Sequence, residues 1–372
     1  MFIRILFARN FRNFDFLDIE LSGYRNLILG RNGMGKTNIL EAIYMLGYGK
    51  SFRGSQDREI VRLGEKEYTV RGDFKKGYED IRVEINLTNS GKIIRLNEEK
   101  LKSLSHIVGI ILCVYMGFND IDIIGGAPKF RRRFLDQSIA TVDPIYLDSL
   151  KKFLYCLGQR NSLLQGYEES KKLEIDIWNE KLADYGSYII ARRIEYIEFL
   201  NKEIKELLDD RIEIRYRLPL TNDPHGDFIS ESSREEVMAS IKESYITALM
   251  RNIDREKRLG FTLVGPHRDD FDIIFGGINA RLFASLGQMR RIAIILRILQ
   301  AEYYECSLGE KPIVLMDDIF LEMDSDVSGK VSDIIRGDSQ VIATTTEMNK
   351  VPESVKWDRV IRFNSEGRPV WN

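Results

Sequence analysis

Cysteine is scarce in this sequence: three residues in 372, Cys113, Cys156 and Cys306, widely separated and with no CxxC spacing. That excludes a disulfide framework and a zinc site built on paired cysteines, and it suits a reducing cytoplasm. A surplus of charge is missing as well. Lys and Arg number 55 against 57 Asp and Glu, a net charge of -2, so the chain as a whole does not attract a polyanion, and any contact with nucleic acid has to use local basic patches. Long apolar runs are also lacking, because Arg, Lys or Asp interrupts each of them. No basic region followed by an apolar core comes after Met1-Phe2-Ile3-Arg4-Ile5. Neither a membrane span nor an export signal is therefore expected. No internal repeat, no Ser-His-Asp set, no paired glutamates and no zinc constellation stand out.

What is present begins with alternation. From Met1 to about Leu21 aromatic and aliphatic residues alternate with polar ones, which predicts two strands joined near Asn10-Phe11-Arg12-Asn13. The short apolar run Leu27-Ile28-Leu29 leads directly into Gly30-Arg31-Asn32-Gly33-Met34-Gly35-Lys36-Thr37, and Asn38 to Leu46 then carries apolar residues at helical spacing. The order is strand, glycine loop, helix, and the loop fits GxxxxGK[ST]. Glycines let successive backbone N–H groups turn towards the α and β phosphates of a nucleotide while the helix presents its positive end. Lys36 reaches the β and γ phosphates in such a loop, and Thr37 offers its hydroxyl to Mg²⁺. Met34 and Asn38 complete the candidate nucleotide contacts. The competing reading is a plain glycine-rich turn, which the flanking strand and helix argue against.

Further along, residues 67–98 read as strands with a hairpin at Asn89-Ser90-Gly91-Lys92, and 107–115 is a buried apolar run. Between about Phe130 and Arg211 leucines and isoleucines recur at helical spacing among many Lys and Glu, which predicts a helical insertion with one long helix over 171–209 folded back on its predecessor. Strand patterns resume near 211–218 and 269–275, a helix is expected near 231–255 and another from Ser285 onward. The expected organisation is an α/β head from residues 1–120 and 256–372, interrupted by a mainly helical insert at 121–255 that forms a second lobe or short arm.

Lys311-Pro312-Ile313-Val314-Leu315-Met316-Asp317-Asp318 is a buried strand ending in two carboxylates, the acidic partner a P-loop enzyme needs. Asp317 is the candidate Mg²⁺ anchor. Asp318 stands where a general base orients the attacking water, and being one methylene shorter than glutamate it implies slow turnover. The alternative is a strand-end turn with helix-capping aspartates.

Ala284-Ser285-Leu286-Gly287-Gln288 contains an SxGQ element about thirty residues before the acidic strand, which resembles the signature loop of ABC ATPases. Read alone, it favours a helix N-cap serine, and its order relative to the glycine loop and the acidic strand reverses that reading. Together with Asn10-Phe11-Arg12-Asn13, Gly35 to Ala42, Lys50-Ser51-Phe52-Arg53, Arg132-Arg133-Phe134-Leu135-Asp136 and Gly265-Pro266-His267-Arg268-Asp269-Asp270, the chain resembles the RecF family of SMC-like ABC ATPases. The resemblance implies an ABC-type P-loop head in which Ser285, Gly287 and Gln288 of one copy close over ATP held by the other. It also implies an ATP-dependent homodimer, weak DNA-stimulated hydrolysis, action on double-stranded and gapped DNA, and RecR with RecO as partners. It places a D-loop at Glu322-Met323-Asp324, a lobe-to-lobe contact at Asn119, and Thr344-Thr345-Thr346 where many ABC proteins carry a switch histidine. An ABC transporter subunit is the rival reading, and the long insertion between Asn119 and Ser285 speaks against it. DNA contacts need cations at phosphate spacing, and the candidates are Lys129, Arg131, Arg132, Arg133, Lys151 and Lys152, each of which also reads as part of a solvated helix face. His267, a lone histidine beside a proline turn, reads as hydrogen-bonded structure.

Overall fold

The computed structural model describes residues 1–207, 211–218, 220, 234–321, 325–351, 355–363 and 369–371. Chain contacts divide it into two units, residues 1–120 with 290–372, and residues 121–289.

The first unit holds two sheets, and the two strand patterns in the sequence are the reason. Strands such as Tyr68–Lys76 bury every second residue and join an antiparallel sheet, in which one face packs and the other is wetter. Phe2–Phe11, Phe14–Glu20, Glu79–Thr88, Gly91–Leu96 and Glu99–Lys100 complete that sheet. The expected hairpin closes with Thr88 opposite Gly91. The buried runs Cys113–Met116 and Ile313–Asp317, the second apolar up to its terminal Asp317, lie instead in a parallel sheet with Val341–Thr345, Arg25–Leu29 and Arg359–Phe363, where both faces are covered. Pro369–Trp371 adds an antiparallel edge. One core runs through the unit: Leu6, Phe11, Ile39, Ile43, Leu315 and Ile342 are all fully buried in it.

The second unit is mainly helical: Pro128–Val142, Pro144–Gln165, Lys172–Leu207 and Arg234–Leu259. The long helix and the turn before it fall where the spacing predicts. A three-stranded antiparallel sheet, in the order Ile278–Asn279, Asp270–Phe275, Ile212–Arg217, belongs to the same unit. Its pairing moves a boundary. The expected return to the head at 256 would fall inside the continuous helix Arg234–Leu259, and Asp270–Phe275 pairs with Ile212–Arg217. The chain therefore rejoins the first unit only at Arg290.

Candidate nucleotide site

In the parallel sheet Leu29 pairs with Thr345, and Thr344 pairs with Asp317. The carboxyl ends of three neighbouring strands thus meet at one edge, where open α/β sheets place their ligands. The glycine loop leaves that edge from Arg25–Leu29 and enters the helix Lys36–Tyr48. Gly33 and Gly35 adopt φ of 83° and 100°, the left-handed region that glycine enters without strain. Gly35 has a second reason to be glycine: a Cβ there would lie 2.6 Å from the Phe14 ring and 2.7 Å from Asn13 Oδ1. Arg31, Asn32 and Gly33 are exposed, whereas Gly35 and Lys36 are buried.

Lys36 Nζ donates to Gly30 O at 3.0 Å and lies 3.8 Å from Asp318 Oδ2, so the cation is curled over its own loop. Asp317 is more tightly held. Its Oδ1 accepts from the hydroxyls of Thr37 and Thr344, each at 2.9 Å, and its Oδ2 accepts from the Tyr115 phenol at 3.1 Å. Thr344 Oγ1 also accepts the Asp318 amide at 3.0 Å. Asp318 sits at φ 50°, a backbone region that costs a non-glycine residue about 1–3 kcal/mol and tends to occur where function requires it. Its Oδ1 is buried without a hydrogen-bond partner. Burial raises the Asp318 pKa above the usual carboxylate value, Lys36 lowers it, and the neighbouring Asp317 raises it again.

Thr37 Oγ1 and Asp317 Oδ1 make an all-oxygen pair of the kind that holds Mg²⁺ when phosphate and water supply the remaining ligands. The orphaned Asp318 Oδ1 is an acceptor aimed at chemistry that the protein itself does not satisfy. The residues therefore fit a magnesium nucleotide.

Tyr115 carries no local signal in the sequence, and Thr344 is marked there only by the resemblance, as part of Thr344-Thr345-Thr346 at the switch position. Tyr115 stacks on Phe52 with ring centroids 3.8 Å apart. A Cβ at Gly117 would fall 2.2 Å from its hydroxyl oxygen, so the missing side chain at 117 makes room for the phenol.

Two motifs quoted for the resemblance converge on one carboxylate of the P-loop helix. Glu41, fully buried, accepts from Arg12 Nε and Nη2 at 3.0 and 2.6 Å and from Ser51 Oγ at 2.5 Å, and Arg53 Nη1 lies 3.3 Å away. Asn38 Nδ2 donates to Asn13 Oδ1 at 2.7 Å. The Asn10–Asn13 turn and the Lys50–Arg53 segment thus pin the helix that carries Lys36 and Thr37. At the expected lobe contact, Asn119 is exposed, while Asp120 is buried and accepts from Arg297 Nη2 at 2.6 Å. Glu322-Met323-Asp324 lies outside the described residues.

Ser285, Gly287 and Gln288 stand in the second unit, all exposed. Ser285 N donates to Gln288 Oε1 at 2.8 Å, and Gln288 N donates to Ser285 Oγ at 3.3 Å, a reciprocal cap on the 23-residue helix Leu286–Leu308. The cap reading of SxGQ holds, and the first turn of the helix still faces solvent.

Two other motifs form the interior of the second unit. Arg131, expected among the DNA contacts, is 2% exposed and donates to both oxygens of Asp270 at 2.6 and 2.9 Å. Breaking that buried pair to reach a phosphate would cost more than a surface contact returns, so Arg131 is not among the available DNA contacts. Arg132 Nη1 donates to Asp269 O at 2.8 Å, and Arg193 bridges Asp136 and Asp269. Lys129, Arg133, Lys151 and Lys152 remain exposed, with Lys152 paired to Asp148 at 2.7 Å. His267 packs 5.8 Å from the Phe153 ring with Nε2 3.2 Å from Thr262 O. Its Nδ1 is buried without a hydrogen-bond partner.

Residues 2–109 match the RecF/RecN/SMC N terminal domain. A DNA replication and repair protein RecF of Bacillus cereus (strain G9842) is 33% identical over 361 residues, spanning 94% of this chain and 93% of the relative. The chain belongs to the RecF family. A solved structure of the recombination mediator protein RecF-ATP in the RecFOR pathway is 32% identical, with a TM-score of 0.88 over 100% of this chain and 97% of that one. An Smc head bound to the C-winged helix domain of ScpA, 16% identical with a TM-score of 0.52 over 100% of this chain and 98% of that one, shares the fold alone. The fold is that of an ABC-type ATPase head of the RecF family. Among the described residues no helix is long and apolar enough to cross a membrane.

Proposed function

We propose that the chain is an ATP-dependent DNA-binding recombination mediator that works in the cytoplasm in DNA replication, repair and the SOS response. The observation that carries this reading is the meeting of Lys36, Thr37, Asp317 and Asp318 at one sheet edge, in a member of a family whose solved relative is described as RecF-ATP. Backbone amides of Gly30 to Gly35 cradle the phosphates, and Lys36 exchanges Gly30 O for a phosphate oxygen. Mg²⁺, when bound, screens phosphate charge. Thr37 and Asp317 are the residues that would hold it. Asp318, with its partly desolvated carboxyl, orients and deprotonates the attacking water, and its short side chain keeps hydrolysis slow.

The signature turn Ser285 to Gln288 of a second copy completes the site, so ATP joins two heads. The closed dimer holds duplex DNA near a single-strand gap, slow DNA-stimulated hydrolysis releases it, and RecR with RecO acts alongside to support recombinase loading. Sedimentation with ATP, with ADP and with neither, with and without gapped DNA, tests this. Dimers and DNA complexes are expected only with ATP, and Ser285→Arg is expected to bind ATP yet stay monomeric. Dimerisation indifferent to nucleotide, or a normal ATP-dependent dimer of Ser285→Arg, sinks the composite site.

A further inference from the structure

In the second unit a cavity of about 530 Å³ is lined by Ala127, Pro128, Lys129, Arg132, Arg217, Arg268 and Asp270. Four cations from three separate segments meet there. Asp270 is the one acid in the lining, and it is already engaged by Arg131 and by Arg217 Nη2 at 3.0 Å. The cavity therefore keeps an excess of positive charge. Two of its guanidinium groups are fixed in place before any ligand arrives. Arg132 is held by Asp269 O, and Arg217 is held between Asp270 and Asp272, the latter at 3.0 Å. Rotamer entropy that binding would otherwise cost has already been lost on folding.

Lys129 and Arg132, three residues apart on the helix Pro128–Val142, share a face. Arg268 is exposed and lies over the Phe261 ring at 5.1 Å. The first turn of the 15-residue helix adds to the field, since Ala127 offers no capping side chain. No aromatic residue lines the cavity, so it has no platform on which a base could stack. Guanidinium forks, an exposed lysine over the Phe130 ring at 5.0 Å and no aromatic residue in the lining match the chemistry of a phosphodiester, not of a nucleoside.

We infer that this cavity is a phosphate-binding pocket that seats a backbone phosphate of duplex DNA, fixing the register of the duplex without reading its sequence. The inference rests on the DNA reading above and gives it a location: Lys129 and Arg132 in the expected basic run act with Arg217 and Arg268, which lie far from that run in the sequence.

The test uses the full chain with ATP and Mg²⁺ and a fluorescein-labelled duplex oligonucleotide of random sequence, titrated by anisotropy across a range of NaCl concentrations. The variant is Lys129→Gln/Arg268→Gln, both residues being exposed, with the melting temperature as the check on folding. Each lost phosphate contact removes about 0.9 from the slope of log affinity against log salt, so the double variant, which loses the one phosphate seated in the pocket, should flatten that slope by about 0.9 and bind about tenfold more weakly at low salt. A variant that binds duplex like the wild type overturns the pocket and leaves the DNA reading intact. A wild type that binds no duplex with any nucleotide overturns both. Calorimetry with inorganic pyrophosphate forms a second arm: loss of pyrophosphate binding in the variant with unchanged duplex binding assigns the pocket to a free anion and overturns the DNA phosphate.

Discussion

The two units bury polar groups for different ends. In the first, buried or half-buried carboxylates gather where a nucleotide would lie: Asp317 takes three hydroxyl donors, Asp318 keeps one oxygen unsatisfied, and Glu41 fastens the helix that carries Lys36. In the second, the two most deeply buried guanidinium groups are locked into pairs. Arg160 is fully buried and donates to Glu256, Asn179 and Thr262 at 2.7 to 2.8 Å, and Arg193 does the same for Asp136 and Asp269. The satisfied network defines a shape. The incomplete one waits for a ligand. A buried charge is therefore informative about function mainly when a partner is missing.

The largest expected effect lies on the incomplete side. Asp318→Asn should lower ATP turnover by about 10²-fold or more while leaving stability unchanged or slightly raised, because asparagine tolerates a positive φ and carries no charge to desolvate. Single-turnover hydrolysis and thermal melting read the two quantities, and a stability loss without a rate loss would invert the comparison. Next comes the satisfied side. Arg160→Ala leaves Glu256 as an uncompensated buried charge and should destabilise the protein by about 3–5 kcal/mol, measured by denaturant titration. The folded fraction should keep its ATP affinity, and a selective loss of ATP binding would show that the network belongs to the site.

Tyr115→Phe sharpens the contrast within the head. Removing a partner of a metal-holding carboxylate typically costs about 10–100-fold in metal affinity, so the Mg²⁺ concentration for half-maximal turnover should rise by about tenfold with little change in ATP binding. An unchanged Mg²⁺ requirement would make the phenol a packing group only. A further contrast concerns pH. Burial lowers the His267 pKa from its ordinary 6.5 to about 4, opposed by the Thr262 carbonyl and reinforced by Arg268, Arg132 and Arg160. The unfolded chain binds a proton there that the folded protein refuses, so stability is full above pH 6.5 and falls as pH drops towards 4, by at most about 1.4 kcal/mol per pH unit. Denaturation of wild type against His267→Gln should show that slope in the wild type alone, and parallel curves would refute it.

How much of this was legible in the sequence follows from how local each feature is. The P-loop, the acidic strand, the Asn89–Lys92 hairpin and the long helix are contiguous stretches whose period or composition belongs to a single element. Tyr115 and Thr344 are ordinary sheet residues until strand order brings them to Asp317, 202 and 27 positions away. Arg131 looked like part of a basic surface run because the sequence does not show that Asp270 lies opposite it. The boundary at 290 was hidden for the same reason: strands 212–217 and 270–275 recognise each other only through pairing.

Tyr115 and Gly117 also carry a message for comparative genetics. A hydroxyl that passes within 2.2 Å of where a Cβ would stand makes the two codons interdependent. Alanine at 117 should push the phenol off Asp317, and phenylalanine at 115 removes the same hydrogen bond while keeping Cζ and Cε1 at 2.5 and 2.9 Å from that Cβ position. The two substitutions should therefore combine less than additively in a double-mutant cycle. Across the RecF family, a side chain at the position of Gly117 is then expected chiefly in chains that have given up the aromatic ring two residues before it.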